Sequence, residues 1–232
     1  MKIKFILILL IILGAFLSKP ETAQTLGGSF MLGSPQGEFR DNVDRLGYGI
    51  QIHGTIWTPG KLHPFTVGLN LGYLVYGEES SSRPLSNTIP DVFVDVDRTN
   101  SLVNFHLLFQ VAPFTGTWRP YAEGLFGGAY IFTKTSVESE WSNENVFETT
   151  NFDDFTWSYG AGGGLLIQIL RDEGELAALF LDLKARYVFG TNAQYLREGD
   201  IVVNPANGSV TYYVSESQTD LLTFHIGVVA YF

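Results

Sequence analysis

The sequence lacks cysteine entirely among its 232 residues. This absence excludes a disulfide framework and a lipid-anchored N-terminal cysteine. Charged residues are also scarce, at 16% of the chain, and acidic residues outnumber basic ones by 24 to 14, for a formal net charge of −10. Because an acidic chain without a basic stripe repels nucleic acid, we expect no nucleic-acid partner. Beyond the N-terminus no apolar run approaches 18 residues, which excludes a transmembrane helix there.

The N-terminus has the pattern of a secretory signal peptide. Two lysines precede an apolar run, Phe5–Leu17, which is followed by small and polar residues up to Ala23. The run of about 13 residues is too short to span a bilayer core of about 30 Å. We therefore predict a signal peptide over residues 1–23, cut after Ala23, and one mature domain over residues 24–232. Residues 1–23 carry a net charge of +2, so the mature chain carries −12.

Aromatic residues (14%) and glycines (25) are plentiful, and they occur in segments in which apolar residues alternate with small or polar ones. Period-2 alternation predicts β-strands. The last segment is the clearest, because every second residue back from Phe232 is apolar. Eight such segments occur: Leu26–Gly33, Leu46–Trp57, His63–Tyr76, Ser101–Pro113, Trp118–Phe132, Phe155–Leu170, Leu176–Phe189 and Thr219–Phe232.

The two faces of these strands differ in a way that is typical of a membrane barrel. In the third segment Phe65, Leu69 and Tyr73 share a bulky, uncharged face, and Asn70 and Gly72 share the other. A narrow eight-stranded lumen needs small and polar residues, whereas the outside of a soluble barrel would carry many charges. The pattern predicts an all-β fold, an eight-stranded antiparallel transmembrane up-and-down barrel.

The connections between the segments alternate in length. Three are short turns, and four are long and polar: Ser34–Arg45, Gly77–Asn100, Thr133–Asp154 and Gly190–Gln218. Short turns on one side and long loops on the other indicate an outer-membrane barrel with both termini in the periplasm. Within the last connection, Ile201–Val203 and Val210–Val214 flank a turn sequence and predict a hairpin.

This layout resembles the small eight-stranded outer-membrane barrels of the OmpA, OmpX and opacity-protein type, within the porin-like outer-membrane proteins. The resemblance rests on the signal peptide, the four long loops and the terminal aromatic pair Tyr231 and Phe232. It implies location in the bacterial outer membrane, contact with its lipid, and recognition of Tyr231 and Phe232 by the barrel-assembly machinery. Because the sequence ends at Phe232, we expect no peptidoglycan-binding domain of the kind found in full-length OmpA-like proteins.

Four charged residues fall on the inward face of the predicted barrel: Glu123, Asp182, Lys184 and Arg186. Buried charges must be paired, so we expect an ion-pair network that fills the lumen. The alternative is a gate, in which rearrangement of these side chains opens a narrow porin-like channel for small solutes.

Three histidines, His53, His106 and His225, also fall on the inward face. We interpret them as members of the polar lumen; a three-histidine metal site is the alternative, although no acidic ligand spacing accompanies them. We expect no metal and no cofactor. Outer-membrane lipid A deacylases and acyltransferases have a similar strand count, but the inward register of the histidines disfavours a lipid-modifying enzyme.

The long connections are acidic and rich in hydroxyl groups. Asp91, Asp95 and Asp97 suggest calcium, but without the glycine-containing spacing of a calcium loop we interpret them as a solvated acidic surface. The sequence thus predicts a non-enzymatic structural or surface-interaction protein of the outer membrane, with an extracellular ligand at the loops as a further partner.

Overall fold

A computed structural model describes residues 24–86, 89–139, 145–173, 176–204 and 209–232. The predicted signal peptide, 1–23, lies outside the described residues. Within the described ranges, twelve strands and one short helix follow one another: β1 (Thr25–Pro35), α1 (Gly37–Asn42), β2 (Gly47–Thr55), β3 (Phe65–Ser86), β4 (Ile89–Val111), β5 (Trp118–Ser139), β6 (Asn145–Glu173), β7 (Leu176–Gly190), β8 (Asn192–Tyr195), β9 (Ile201–Val203), β10 (Val210–Tyr212), β11 (Ser215–Gln218) and β12 (Leu221–Tyr231).

Eight of these strands form a closed antiparallel barrel in the order β1-β12-β7-β6-β5-β4-β3-β2. The closing pair joins β1 to β12, with Thr25 opposite Tyr231 and Pro35 opposite Leu221. The predicted eight-stranded barrel is confirmed, and each predicted segment lies on one barrel strand. Closure leaves the barrel wall without a free sheet edge, so its backbone groups pair with each other.

The prediction of long loops is wrong for two of the four connections, which consist largely of β-strand. Residues 77–86, 89–100, 133–139 and 145–154 continue the barrel strands, with Glu78 opposite Thr99 and Ser136 opposite Glu148. The alternation of large apolar residues ends in these segments, but Thr and Val at alternate positions maintain strand propensity. We call the part of β3–β6 formed by residues 77–86, 89–100, 133–139 and 145–154 the projecting sheet. The end of the barrel that carries it is the projecting end, and the opposite end is the short-turn end.

The other two long connections also contain regular structure that the alternation did not predict. The connection from β1 to β2 contains α1, whose Phe39 is fully buried. The connection from β7 to β12 contains two strand pairs, β8 with β11 and β9 with β10. The predicted hairpin at β9 and β10 is confirmed, with Thr211 opposite Val202.

The outer face of the barrel wall is apolar and exposed. Phe30 is 72% exposed, Ile52 is 54% exposed and Leu107 is 50% exposed. In the same strands the buried side chains point into the lumen and are largely polar. No helix within the described residues is long and apolar enough to cross a membrane. The distribution of polarity is therefore the inverse of that in a soluble barrel.

Candidate functional site

The middle of the lumen is organised around Arg186, which β7 directs inward. Its Nε donates to Glu123 Oε1, and its Nη2 donates to Glu123 Oε2 at 3.1 Å. Its Nη1 donates to Gln51 Oε1 at 2.6 Å and to Asn70 Oδ1 at 2.8 Å. Residues from β2, β3, β5 and β7 thus meet at one guanidinium group. The planar guanidinium group suits a carboxylate that accepts two hydrogen bonds. Its further bonds to Gln51 and Asn70 restrict rotation of the Arg186 side chain.

The second ion pair involves Lys184, which lies two residues before Arg186 in β7. Lys184 Nζ is 2.8 Å from Asp182 Oδ2, and both side chains are almost completely buried. Tyr121 donates to Asp182 Oδ1 at 2.6 Å. The four charged residues that the sequence places inside therefore come together as two ion pairs with zero net charge. We call these pairs and the polar side chains that contact them the lumen network.

Space for Arg186 is provided by a glycine on the neighbouring strand. Gly162 lies opposite Arg186 in the register of β6 and β7. A Cβ atom at position 162 would lie 2.7 Å from Arg186 Cγ and 2.5 Å from the carbonyl oxygen of Ala185. Any larger residue at this position would have to displace the stem of the arginine or the β7 backbone.

The three lumen histidines contact different partners and do not form one cluster. His53 Nδ1 lies 3.5 Å from Lys184 Nζ, within the lumen network. His106 Nε2 is 2.8 Å from Ser158 Oγ, and His225 Nε2 is 2.8 Å from the Thr223 hydroxyl. The sequence did not predict these two hydroxyl partners. Among the described residues no group of three or more His, Asp or Glu side chains is arranged to hold a metal ion.

An aromatic cluster closes the lumen at the projecting end. The Phe39 ring meets the edges of Tyr195 and Tyr76, with centroids 5.1 and 5.6 Å apart. Tyr195 is fixed by Asn42 Nδ2, which donates to its hydroxyl at 3.0 Å. Tyr76 donates to the carbonyl oxygen of Leu196 at 3.2 Å. Helix α1 and strand β8 therefore cover the mouth of the barrel.

A second apolar layer fills the lumen at the short-turn end. Phe180 and Tyr231 pack with ring centroids 4.7 Å apart, and the Arg119 guanidinium carbon lies 4.5 Å from the Phe180 centroid. Tyr231 is thus an interior residue, whereas Phe232 is 49% exposed and donates its backbone N–H to the carbonyl oxygen of Gln24 at 3.0 Å. The two residues of the predicted assembly signal have different surroundings.

A cavity of about 20 Å³ lies beside the lumen network, with His106, Ser158, Arg186 and His225 in its lining. This volume accommodates about one water molecule. His106 and Ser158 have the spacing of a base and a nucleophile, but within the described residues Nδ1 of His106 has no hydrogen-bond partner to orient the ring. The cavity has no room for a substrate beside this pair.

The sequence prediction missed several polar members of this region. Gln51, Asn70 and Tyr121 bind the charged groups of the lumen network directly. The period-2 pattern places these three side chains inside the barrel. Because a buried charge needs hydrogen-bond partners, the inward charges could have indicated that these polar residues contact them. Asp95 and Asp97, considered for calcium, lie in β4 opposite Ser82 and Ser80. Asp91 lies in the same strand.

The comparisons with known proteins found similarity only among solved structures. No protein family and no curated protein matches the sequence. Ail, the attachment invasion locus protein of Yersinia pestis, is 12% identical with a TM-score of 0.41, over 91% of this chain and 99% of that chain. Neisserial surface protein A is 8% identical with a TM-score of 0.39, over 91% and 98%. A major outer membrane protein from Thermus thermophilus is 11% identical with a TM-score of 0.39, over 90% and 99%.

Proposed function

We propose that this chain is a non-enzymatic surface protein of the bacterial outer membrane. The exposed apolar wall supports the membrane location, because a closed barrel satisfies its own backbone groups and can present apolar side chains to lipid. The short-turn end and both ends of the mature chain then face the periplasm. The projecting sheet faces the outside of the cell.

The observation that carries the surface role is the projecting sheet itself. Four strands continue past the barrel mouth as hydrogen-bonded hairpins. Residues 77–100 and 133–154 contain 11 acidic and 3 basic residues, a net formal charge of −8. Within the described residues of the projecting sheet, 9 acidic and 3 basic residues give a net formal charge of −6, which is half of the −12 of the mature chain. Charge complementarity favours a partner with a basic surface.

The filled lumen supports a role without conduction or catalysis. The charged residues that could gate a channel are paired, and an apolar layer lies on either side of them. The Ser158–His106 pair opens onto a space for one water molecule. The lumen network therefore acts in this proposal as the polar core that holds the barrel together.

The terminal residues have a separate role in this proposal. Phe232 presents an exposed aromatic ring at the end of β12, where the barrel-assembly machinery binds it. Tyr231 packs against Phe180 instead, and stabilises the finished barrel from within.

The location is tested by labelling single cysteines in intact cells. The natural sequence contains no cysteine, so Ser82→Cys on the projecting sheet and Leu62→Cys at the short-turn end each carry one thiol. A membrane-impermeant maleimide is expected to label Ser82→Cys in intact cells and Leu62→Cys only after the outer membrane is permeabilised. The reverse result, or labelling of both in intact cells, would contradict the orientation.

The interaction is tested by shortening the projecting sheet. Deletion of residues 81–96 and 137–147 rejoins strands at positions that are already paired, Ser80 with Asp97 and Ser136 with Glu148. The purified variant is expected to lose binding to a lysine-rich peptide that the natural chain binds. A control, Asp172→Asn with Glu173→Gln, removes acidic groups at the other end and should bind as the natural chain does. Equal binding by all three proteins would exclude the projecting sheet as the contact surface.

A further inference from the structure

A second cavity, of about 470 Å³, lies at the projecting end of the barrel. Its walls come from the α1–β2 connection, the first residues of the projecting sheet and the connection from β8 to β9. It shares no lining residue with the cavity in the lumen. Its volume lies within the range of about 300–1,000 Å³ that is typical of small-molecule sites. We call it the rim cavity.

The charges around the rim cavity largely neutralise one another. Two guanidinium groups, Arg45 and Arg197, face three carboxylates, Asp44, Glu198 and Asp200, so the lining has a net formal charge of −1. Arg45 pairs with Glu198, and Arg197 Nε lies 3.1 Å from Asp200 Oδ2. An acidic excess disfavours an anionic ligand such as a phosphate or sulfate. Paired charges still offer N–H groups and lone pairs to an uncharged polar ligand.

One amide in the wall uses its oxygen within the protein and leaves its nitrogen open to the cavity. Asn100 is 4% exposed, and its Oδ1 accepts a hydrogen bond from the Thr133 hydroxyl at 2.7 Å. Among the described residues no acceptor takes a hydrogen bond from its amide nitrogen. That nitrogen lies 2.8 Å from the position that a Cβ on Gly77 would occupy, and both residues line the cavity. The glycine therefore leaves open the space beside this amide donor.

We propose that the rim cavity binds a neutral mono- or disaccharide. Each sugar hydroxyl both donates and accepts a hydrogen bond, which matches a lining of amide and guanidinium donors interleaved with carboxylate acceptors. An apolar ligand would leave the polar groups of the wall, Asn100 among them, without partners. The site goes beyond the proposed surface role and depends on it only in that the cavity then opens to the outside of the cell.

The test is a binding titration on the purified full chain in a detergent without a sugar head group. The probes are glucose, galactose, N-acetylglucosamine and their β-linked disaccharides, with a sulfated disaccharide as the anionic competitor. Gly77→Ala fills the space beside Asn100, and Asn100→Asp keeps the acceptor for Thr133 but removes the amide donor. Each variant is expected to weaken saccharide binding at least about tenfold. Gly124→Ala, where a Cβ would meet no atom within 4 Å, should bind as the natural chain does.

Three outcomes would overturn the proposal. They are failure of every neutral sugar to bind, equal binding by Gly77→Ala and the natural chain, and tighter binding of the sulfated disaccharide. A heat-modifiable gel shift establishes that each variant is folded, so a loss of binding is not a loss of the barrel. The titration uses purified protein and measures sugar binding at the base of the projecting sheet, whereas the surface role is tested by labelling in cells and by peptide binding. Failure of the saccharide site is therefore distinguishable from failure of the proposed surface role.

Discussion

Arg186 and Glu123 meet inside the barrel from two strands that are not neighbours, β7 and β5, with Nη2 3.1 Å from Oε2. Glu123→Ala leaves the guanidinium buried and unpaired, which is expected to lower the free energy of unfolding by about 3–5 kcal/mol. Urea unfolding in lipid vesicles measures the change. Glu123→Ala combined with Arg186→Met should recover most of the loss, because no unpaired charge remains. A single variant as stable as the natural chain would show that the pair contributes nothing.

The filled lumen predicts that the protein does not conduct ions. The cavity beside the lumen network accommodates about one water molecule, and apolar layers lie on both sides of it. In planar bilayers the natural chain and Arg186→Ala should both be silent, with a general porin as the positive control. Conductance steps that change in Arg186→Ala would instead establish the channel alternative.

The packing of Arg186 predicts opposite responses to alanine at two glycines. Gly162→Ala puts a methyl group against Arg186 Cγ and the β7 backbone, and overpacking of this kind should cost about 1–3 kcal/mol in unfolding free energy. Gly124→Ala adds a methyl group where no atom lies within 4 Å. It should cause no loss, or a gain of up to about 1 kcal/mol. Equal effects in equilibrium unfolding would mean that the space beside Arg186 is not limiting.

The proposed membrane location predicts that a charge on the outer wall is costly. Leu107 is 50% exposed in the middle of the apolar stretch of β4, and Leu107→Arg should lower stability in vesicles by about 2–4 kcal/mol. Ser80→Arg, on the projecting sheet, should change it by less than about 0.5 kcal/mol. If Leu107→Arg were as stable as Ser80→Arg in vesicles, the wall would not face lipid.

The exposed terminal ring predicts an assembly defect without a folding defect. Phe232→Ala should reduce the amount of heat-modifiable barrel in cell envelopes several-fold, because the assembly machinery loses its aromatic contact. The same variant, refolded from urea into detergent, should lie within about 1 kcal/mol of the natural chain, as is usual for surface substitutions. Phe232→Tyr should assemble normally. Normal assembly of Phe232→Ala would remove Phe232 from the proposed signal.

The alternation of residues determined the class of fold, the number of barrel strands and the side of the wall that each residue faces. Strand geometry makes this possible, since side chains alternate with a period of two and closure leaves only two faces. The same pattern placed Glu123 and Arg186 inside the barrel. It also placed His53, His106 and His225 there.

Only the tertiary structure decided which inward residues meet and how far the strands extend. Arg186 contacts Gln51 and Asn70, more than 100 positions away in the chain, because the register of eight strands brings them to one level of the lumen. Strand pairing continues past the barrel mouth because β3–β6 support one another there after the apolar alternation has ended. Helix α1 closes the mouth through Phe39, whose partners Tyr76 and Tyr195 come from distant elements. No local pattern encodes such contacts, since they depend on the closed barrel.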